Sequence, residues 1–301
     1  MKLLVVGSSG FLGSYLGFAL PRAGHEVYGV SRRDVAYFPN NTVITDLDGV
    51  ERVIRRGEFD AVINCVAVAS HEACEKDPDT AEAINSVVPG VWASAANEVG
   101  AHFVHISTDA VFDGASSELY VEHDEAHPES VYGITKARGE RAVLAANSQA
   151  LVLRVNFFGW SKSHESGILD FFVNAFTNQL PITGFQDYVV SSLYMGHLVD
   201  VMVELVERKQ SGVFHAVSTT PQSKYDFGQM VARCAGLSAD SMAEGFLANA
   251  TGFAPRGHDL SLSTAKIEDT LGHPMPSTES GVVRALAERE ALMDYFGAHE
   301  K

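Results

Sequence analysis

The chain has 301 residues, enough for a large α/β domain with an appended part. Apolar residues make up 46% and charged residues 20%, the balance of an ordinary globular chain and not of a disordered one. With 38 acidic against 22 basic side chains the formal charge is −16, which repels nucleic-acid phosphate and anionic lipid, so neither is an expected partner.

Three scattered cysteines, Cys65, Cys74 and Cys234, do not make a disulfide framework and suit a reducing compartment. The apolar start Leu3–Val6 stops at Gly7, too short for a signal peptide, and no stretch approaches the roughly 20 apolar residues of a membrane span. The cytoplasm is the expected location. The glycosylation-type triplets at Asn40 and Asn249 then read as chance matches.

Short apolar strands alternate with helical segments through the first half, the pattern of a parallel sheet covered on both faces. Strands are expected at Leu3–Val6, Glu26–Val30, Thr42–Thr45, Ala61–Cys65, His102–Ser107 and Leu151–Val155. Helices are expected at Phe11–Ala23, within Pro78–Gly100, and from Tyr132 to Asn147, with a polar loop over Asp113–Ser130. After Gly159 the alternation weakens. Ile168–Asn178 and Tyr194–Val206 read as amphipathic helices, Val213–Ala216 as a strand, and the chain ends in a helix over Gly281–Tyr295. The fold expected is a Rossmann-type doubly wound parallel sheet with a smaller C-terminal substrate-binding domain. Residues 1–158 and about 190–218 would form the first, and 159–189 with 219–301 the second, a pocket lying between them.

Gly7-Ser8-Ser9-Gly10-Phe11-Leu12-Gly13 lies between the first strand and the first helix. Small residues there let the backbone turn sharply and approach a pyrophosphate, whose charge then meets the helix N-terminus. A dinucleotide site over Gly7, Ser9, Gly10, Phe11, Leu12 and Gly13 follows. At the end of the second strand an acidic residue would bind the adenosine ribose and select NAD. This chain has Ser31-Arg32-Arg33, which suits the 2′-phosphate of NADP, so NADP(H) is favoured and NAD(H) remains open. Asp46 and Leu47 are placed to meet the adenine edge, although either also suits a helix start.

Tyr132 and Lys136 lie four residues apart and share a helical face. An ammonium near a phenol lowers its pKa, and a tyrosine so tuned can exchange a proton with a carbonyl oxygen as hydride moves. Thr108, at the end of the preceding strand, is placed to hold that oxygen, more so than Ser107.

With these motifs in order the chain resembles the extended short-chain dehydrogenase/reductases, and within them the dTDP-4-dehydrorhamnose reductase branch. The matches are Gly7–Gly13, Asn64-Cys65-Val66-Ala67 with Glu75 and Asn85 beyond, Ser107–Gly114, Tyr132–Lys136 with Gly139-Glu140, Leu153-Arg154, and Pro255-Arg256 through Thr264. They are dense before Val155 and thin afterwards. The resemblance implies that Thr108, Tyr132 and Lys136 are the catalytic residues. It adds Cys65, Val66, Ala67 and Asn85 to the cofactor site. Asp109, Phe157 and Arg256 join Thr108 toward a nucleotide sugar, and Arg154 is a further option for its diphosphate.

The chain departs from the family's pattern at Ala110, where a tyrosine is usual, and at Val68 and Phe157, and the family's D-Q-x-G-x-P-T stretch is not recognisable near Gln186–Leu193. Ala110 also replaces the second carboxylate that related dehydratases use. The activity implied is NADP(H)-dependent reduction of a 4-keto nucleotide sugar. Two alternatives stay open: an epimerase with retained cofactor, and a non-catalytic NADP-binding regulatory subunit like that of methionine adenosyltransferase. A homodimer is one possible assembly.

His71-Glu72-Ala73-Cys74-Glu75 has no second cluster of fitting spacing, so no metal is expected. His102 and His105 lie on the fifth strand, where alternation either buries them or aims one at the cleft; packing is the favoured role. Trp160 and Phe157–Phe158 suit either base stacking or core packing.

Overall fold

The computed structural model describes residues 1–38, 40–162 and 167–297. Positions 163–166 and 298–301 of the expected C-terminal domain lie outside these.

The first half builds β1 (Lys2–Val6), α1 (Phe11–Arg22), β2 (Glu26–Ser31), β3 (Asn41–Val43), α2 (Leu47–Arg56) and β4 (Ala61–Asn64). Then come α3 (His71–Lys76), α4 (Pro78–Glu82), a π-turn over Ala83–Val87, α5 (Val88–Glu98) and β5 (His102–Thr108), followed by α6 (Val131–Ala146) and β6 (Leu151–Val155). The second half adds β7 (Phe157–Phe158), α7 (Ile168–Thr177), β8 (Ile182–Phe185), β9 (Val189–Val190), β10 (Leu193–Tyr194), α8 (Met195–Glu207) and β11 (Gly212–His215). It ends in β12 (Gln222–Ser223), α9 (Lys224–Ala235), β13 (Met242–Gly245), β14 (Asp259–Leu260), α10 (Ala265–Leu271) and α11 (Thr278–Gly297).

Seven strands form one parallel sheet in the order β11-β6-β5-β4-β1-β2-β3. Side chains alternate across it, as the two-residue period of a strand requires. Leu3, Val5 and Ile63 face a core shared with α1, α8 and the C-terminal helices. Leu4, Val6 and Val62 face a second core with Val50 and Ile54 of α2 and Trp92 of α5. Both faces are therefore buried, which is why the strands read as continuous apolar runs. The order reverses at β1, which pairs β2 on one side and β4 on the other, and a crevice opens beyond the carboxyl ends of strands at such a switch point.

The helix α2 was expected only as the alternative reading of Asp46 and Leu47. Its N-cap is Asp46, whose carboxylate accepts from Gly49 N at 2.6 Å, so the helix-start reading of Asp46 holds. The polar stretch after β5 opens with a short 3₁₀ turn over Asp109–Val111 and has no other helix before Val131. Tyr120 anchors it: the ring stacks on Phe112 at 4.2 Å, and the hydroxyl donates to Asp113. Smaller two- and three-stranded sheets, β10-β7, β12-β9-β14 and β13-β8, organise the later chain.

Candidate active site

Two cavities line the crevice. The first, about 430 Å³, is walled by Gly7, Ser9, Gly10, Ser31, Arg32, Asp46, Leu47, Cys65, Val66 and Ala67 among others. The second, about 340 Å³, takes Phe11, Leu12, Thr108, Asp109, Tyr132, Lys136, Asn156 and Phe157. Gly10, Cys65 and Ala67 belong to both, so the two form one groove passing over the glycine loop.

The loop fits a pyrophosphate. Gly7 adopts φ +94°, which a residue with a Cβ rarely takes, and a Cβ on Gly13 would stand 2.1 Å from the Gly7 carbonyl oxygen. Gly13 lies outside both cavity walls; its part is to let α1 close against the loop. Gly10 is the N-cap of α1 and no side chain caps it, so the first turn's N–H groups point into the groove, where an anion would meet them.

Besides Gly13, two expected cofactor contacts are placed differently. Arg32 borders the first cavity and Arg33 does not, because the chain turns after β2 and carries Arg33 to solvent. The backbone oxygen of Arg33 instead accepts the Ser31 hydroxyl. Asn85 is buried behind the wall. Its amide oxygen accepts from Val68 N at 2.8 Å, and its nitrogen donates to Val68 O and to Thr135 Oγ1. It braces the segment after β4 against α6, while Thr80 and Ile84 take the wall position.

Around the second cavity the strand ends supply the polar groups. Thr108 accepts from Ala110 N at 3.1 Å and donates to Asp109 Oδ1 at 3.0 Å. Asn156, one residue past β6, donates to Asp109 Oδ2 at 2.7 Å and accepts from Ser192. Burial lifts the Asp109 carboxyl from 3.8 to about 6, against these hydrogen bonds. Tyr132 and Lys136 stand on the first turns of α6, whose start Ser130 caps by accepting from Gly133 N.

The proton balance differs from expectation. Lys136 is buried, with Nζ donating to Ile106 O at 2.6 Å and lying 3.2 Å from His105 Nε2. Burial lowers its ammonium to about 8. Burial also pushes the Tyr132 phenol well above its ordinary value; the Thr108 hydroxyl opposes this and Asp109 adds to it. Lys136 does not pull the phenol down here, because its charge is turned toward the β5 backbone. The result is a protonated phenol beside a threonine hydroxyl, facing a cavity: a proton donor for a carbonyl oxygen, with a hydroxyl that would have to turn from Asp109 to reach the same oxygen.

Phe157 lines this cavity and stacks on Phe11 at 5.8 Å. Phe158 and Trp160 are core residues, and the Trp160 indole donates to Ala285 O at 2.6 Å. Arg154 is not available to a diphosphate: it is buried, and its guanidinium grips Glu140 through Nε and Nη2 while lying over the Phe112 ring. Arg256 bridges to Glu72 at 2.5 Å and donates to Ala254 O, tying the loop before β14 to α3. The remaining residues of the 71–75 stretch are likewise engaged, His71 against the Tyr132 ring at 4.8 Å, Cys74 with Val68 O, and Glu75 with Val131 N.

Sequence reasoning missed Asn156, and His105 as a neighbour of Lys136. A polar residue directly past β6, beside the strand end that carries Thr108, was a usable signal for Asn156.

The RmlD substrate binding domain family matches residues 1–291. A probable low-salt glycan biosynthesis reductase of Haloferax volcanii is 31% identical, covering 98% of this chain and 99% of that one. A dTDP-4-dehydrorhamnose reductase of Mycolicibacterium smegmatis is 32% identical over 75% of this chain and 66% of its own length. The dTDP-4-dehydrorhamnose reductase of Bacillus anthracis, solved in complex with NADP, shares the fold with a TM-score of 0.84 at 24% identity, over 95% of this chain and 98% of that one. Motif order, fold and family match agree: the chain belongs to the RmlD family, the dTDP-4-dehydrorhamnose reductase-like branch of the extended short-chain dehydrogenase/reductases.

Proposed function

We propose that the protein is a cytoplasmic NADP(H)-dependent reductase of a 4-keto nucleotide sugar, of the dTDP-6-deoxy-4-ketohexose type. The observation that carries this is the second cavity, where Thr108 and a protonated Tyr132 meet beside the glycine loop in one continuous groove. The reductase names of its relatives support the same reading.

When bound, NADPH supplies the hydride that reduces the carbonyl carbon. The loop from Gly7 to Gly13 and the N-terminus of α1 hold its diphosphate. Arg32 takes the 2′-phosphate through charge-assisted hydrogen bonds. Lys136 holds the nicotinamide ribose from the β5 side of the groove. Thr108 turns its hydroxyl from Asp109 to donate to the substrate carbonyl oxygen, and Tyr132 gives that oxygen its proton as negative charge develops there. A phenol raised by burial suits this direction, because the acid must be protonated before the step. Phe11 and Phe157 narrow the cavity and exclude water from the reacting carbon.

The test is NADPH oxidation by the purified protein with a dTDP-4-keto-6-deoxyhexose, one cofactor consumed per alcohol formed. Turnover without added NADPH would make it an epimerase. No turnover, with a stoichiometric enzyme partner captured, would make it a regulatory subunit.

A further inference from the structure

His105 lines neither cavity, yet it touches the lysine that does. Its Nδ1 lies 3.2 Å from Asn64 Nδ2, and its Nε2 lies 3.2 Å from Lys136 Nζ. All three residues are at most 1% exposed, so bulk water does not relieve a mispaired group. The hydrogens along this row follow from one end. The Asn64 amide oxygen accepts from Val66 N at 3.0 Å, which leaves the amide NH2 toward the ring. An NH2 only donates, so Nδ1 is the accepting nitrogen and the proton of the neutral imidazole sits on Nε2. Burial keeps that imidazole neutral, well below its ordinary value, and the neighbouring Lys136 acts the same way. Nε2–H therefore points at Nζ. A neutral amine meets it with a lone pair while still donating to Ile106 O at 2.6 Å. An ammonium has no lone pair and sets donor against donor. Moving the ring proton to Nδ1 carries the conflict to Asn64, and turning Asn64 carries it to Val66 N–H.

We propose that His105 is a positioning residue for the reduction: fixed by Asn64 with its proton on Nε2, it favours the neutral amine of Lys136 over the ammonium. The kinetic consequence rests on the reductase reading, while the placement of the proton does not. The other titratable groups around Nζ keep one charge state near neutrality. Glu140, on the same helix, is held by Arg154 and Ser107. The Cys65 thiol, just past β4, is pushed up to about 12 by burial, and the Tyr132 phenol stays protonated. Lys136 keeps its task toward the ribose, and His105 sets how far above neutrality the cation survives.

The experiment reads two things: the kcat/KM profile for reduction of a dTDP-4-keto-6-deoxyhexose, and the imidazole nitrogen NMR signals of the full chain. His105→Gln can turn its amide oxygen to Nζ, so the alkaline limb of the profile should rise by about one to two pH units, the size of a hydrogen bond to a charged group. Asn64→Asp should raise it as well, because a carboxylate draws the ring proton to Nδ1 and leaves Nε2 to accept from the ammonium. It serves if the first variant fails to fold. In wild-type protein NMR should find a neutral His105 protonated on Nε2, its signal being the one lost in His105→Gln or reversed in Asn64→Asp. A histidine that only packs would lower the plateau and leave the limb in place. An unmoved or lowered limb, or a wild-type His105 protonated on Nδ1, would overturn the proposal. Wild-type protein that reduces no such ketone would instead refute the reductase reading, and the NMR arm would then decide the proposal alone.

Discussion

Asp109 is a carboxylate held where burial opposes its charge, so neutralising it should stabilise the fold at neutral pH. Its carboxyl is lifted from 3.8 to about 6, which at about 1.36 kcal/mol per pH unit is about 3 kcal/mol of penalty for the ionised form. The sign follows from proton counting: between the unfolded and folded values the native chain holds the extra proton, so this group costs stability as pH rises from about 4 to 6, and the full cost stands above that. Asp109→Asn keeps the shape and removes the charge. The amide must share Thr108 and Asn156 with a new donor, so the net gain should be about 1–2 kcal/mol at pH 7.5. Urea unfolding at pH 7.5 and at 4.5 measures it, with the gain shrinking at the lower pH. A destabilised variant at pH 7.5, or a gain equal at both pH values, would refute the burial argument.

Arg32→Ala should weaken NADPH binding by about 10- to 100-fold and leave NADH unchanged, while Arg33→Ala changes neither; calorimetric titration with both cofactors checks this. Reduction should fall as pH rises through about 8, where Lys136 loses its proton, and a kcat/KM profile flat to pH 10 would contradict that assignment. Glu140→Gln leaves Arg154 buried without its carboxylate, so unfolding free energy should drop by about 3–5 kcal/mol. A loss below 1 kcal/mol, on the scale of an exposed pair, would show that Arg154 finds other partners.

What could be read from the sequence was local and periodic. The apolar runs of β1, β4, β5 and β6 are buried on both faces, and their composition announced it. The glycine loop was legible because Gly7 and Gly13 answer to backbone geometry between neighbours in sequence. Tyr132 and Lys136 shared a face by helical spacing alone, and Thr108 marked a strand end. What escaped was set by tertiary contact. The direction of the Lys136 charge depends on Ile106 and His105, on the strand beneath it, so the expected effect on the phenol did not appear. Arg154 read as a phosphate ligand, but Glu140, one helix away, claims it. Arg33 and Asn85 each sit one residue past a neighbour that lines the groove, Arg32 and Ile84, and the local turn of the backbone decides which of the two faces it.

The central claim is that Tyr132 gives the proton to the reduced carbonyl. NADPH oxidation by Tyr132→Phe, measured with a dTDP-4-keto-6-deoxyhexose beside calorimetric NADPH binding, tests it most directly. The account predicts turnover lowered by at least about 100-fold, the scale of a lost general acid, with cofactor affinity nearly unchanged. Full turnover in that variant would contradict it.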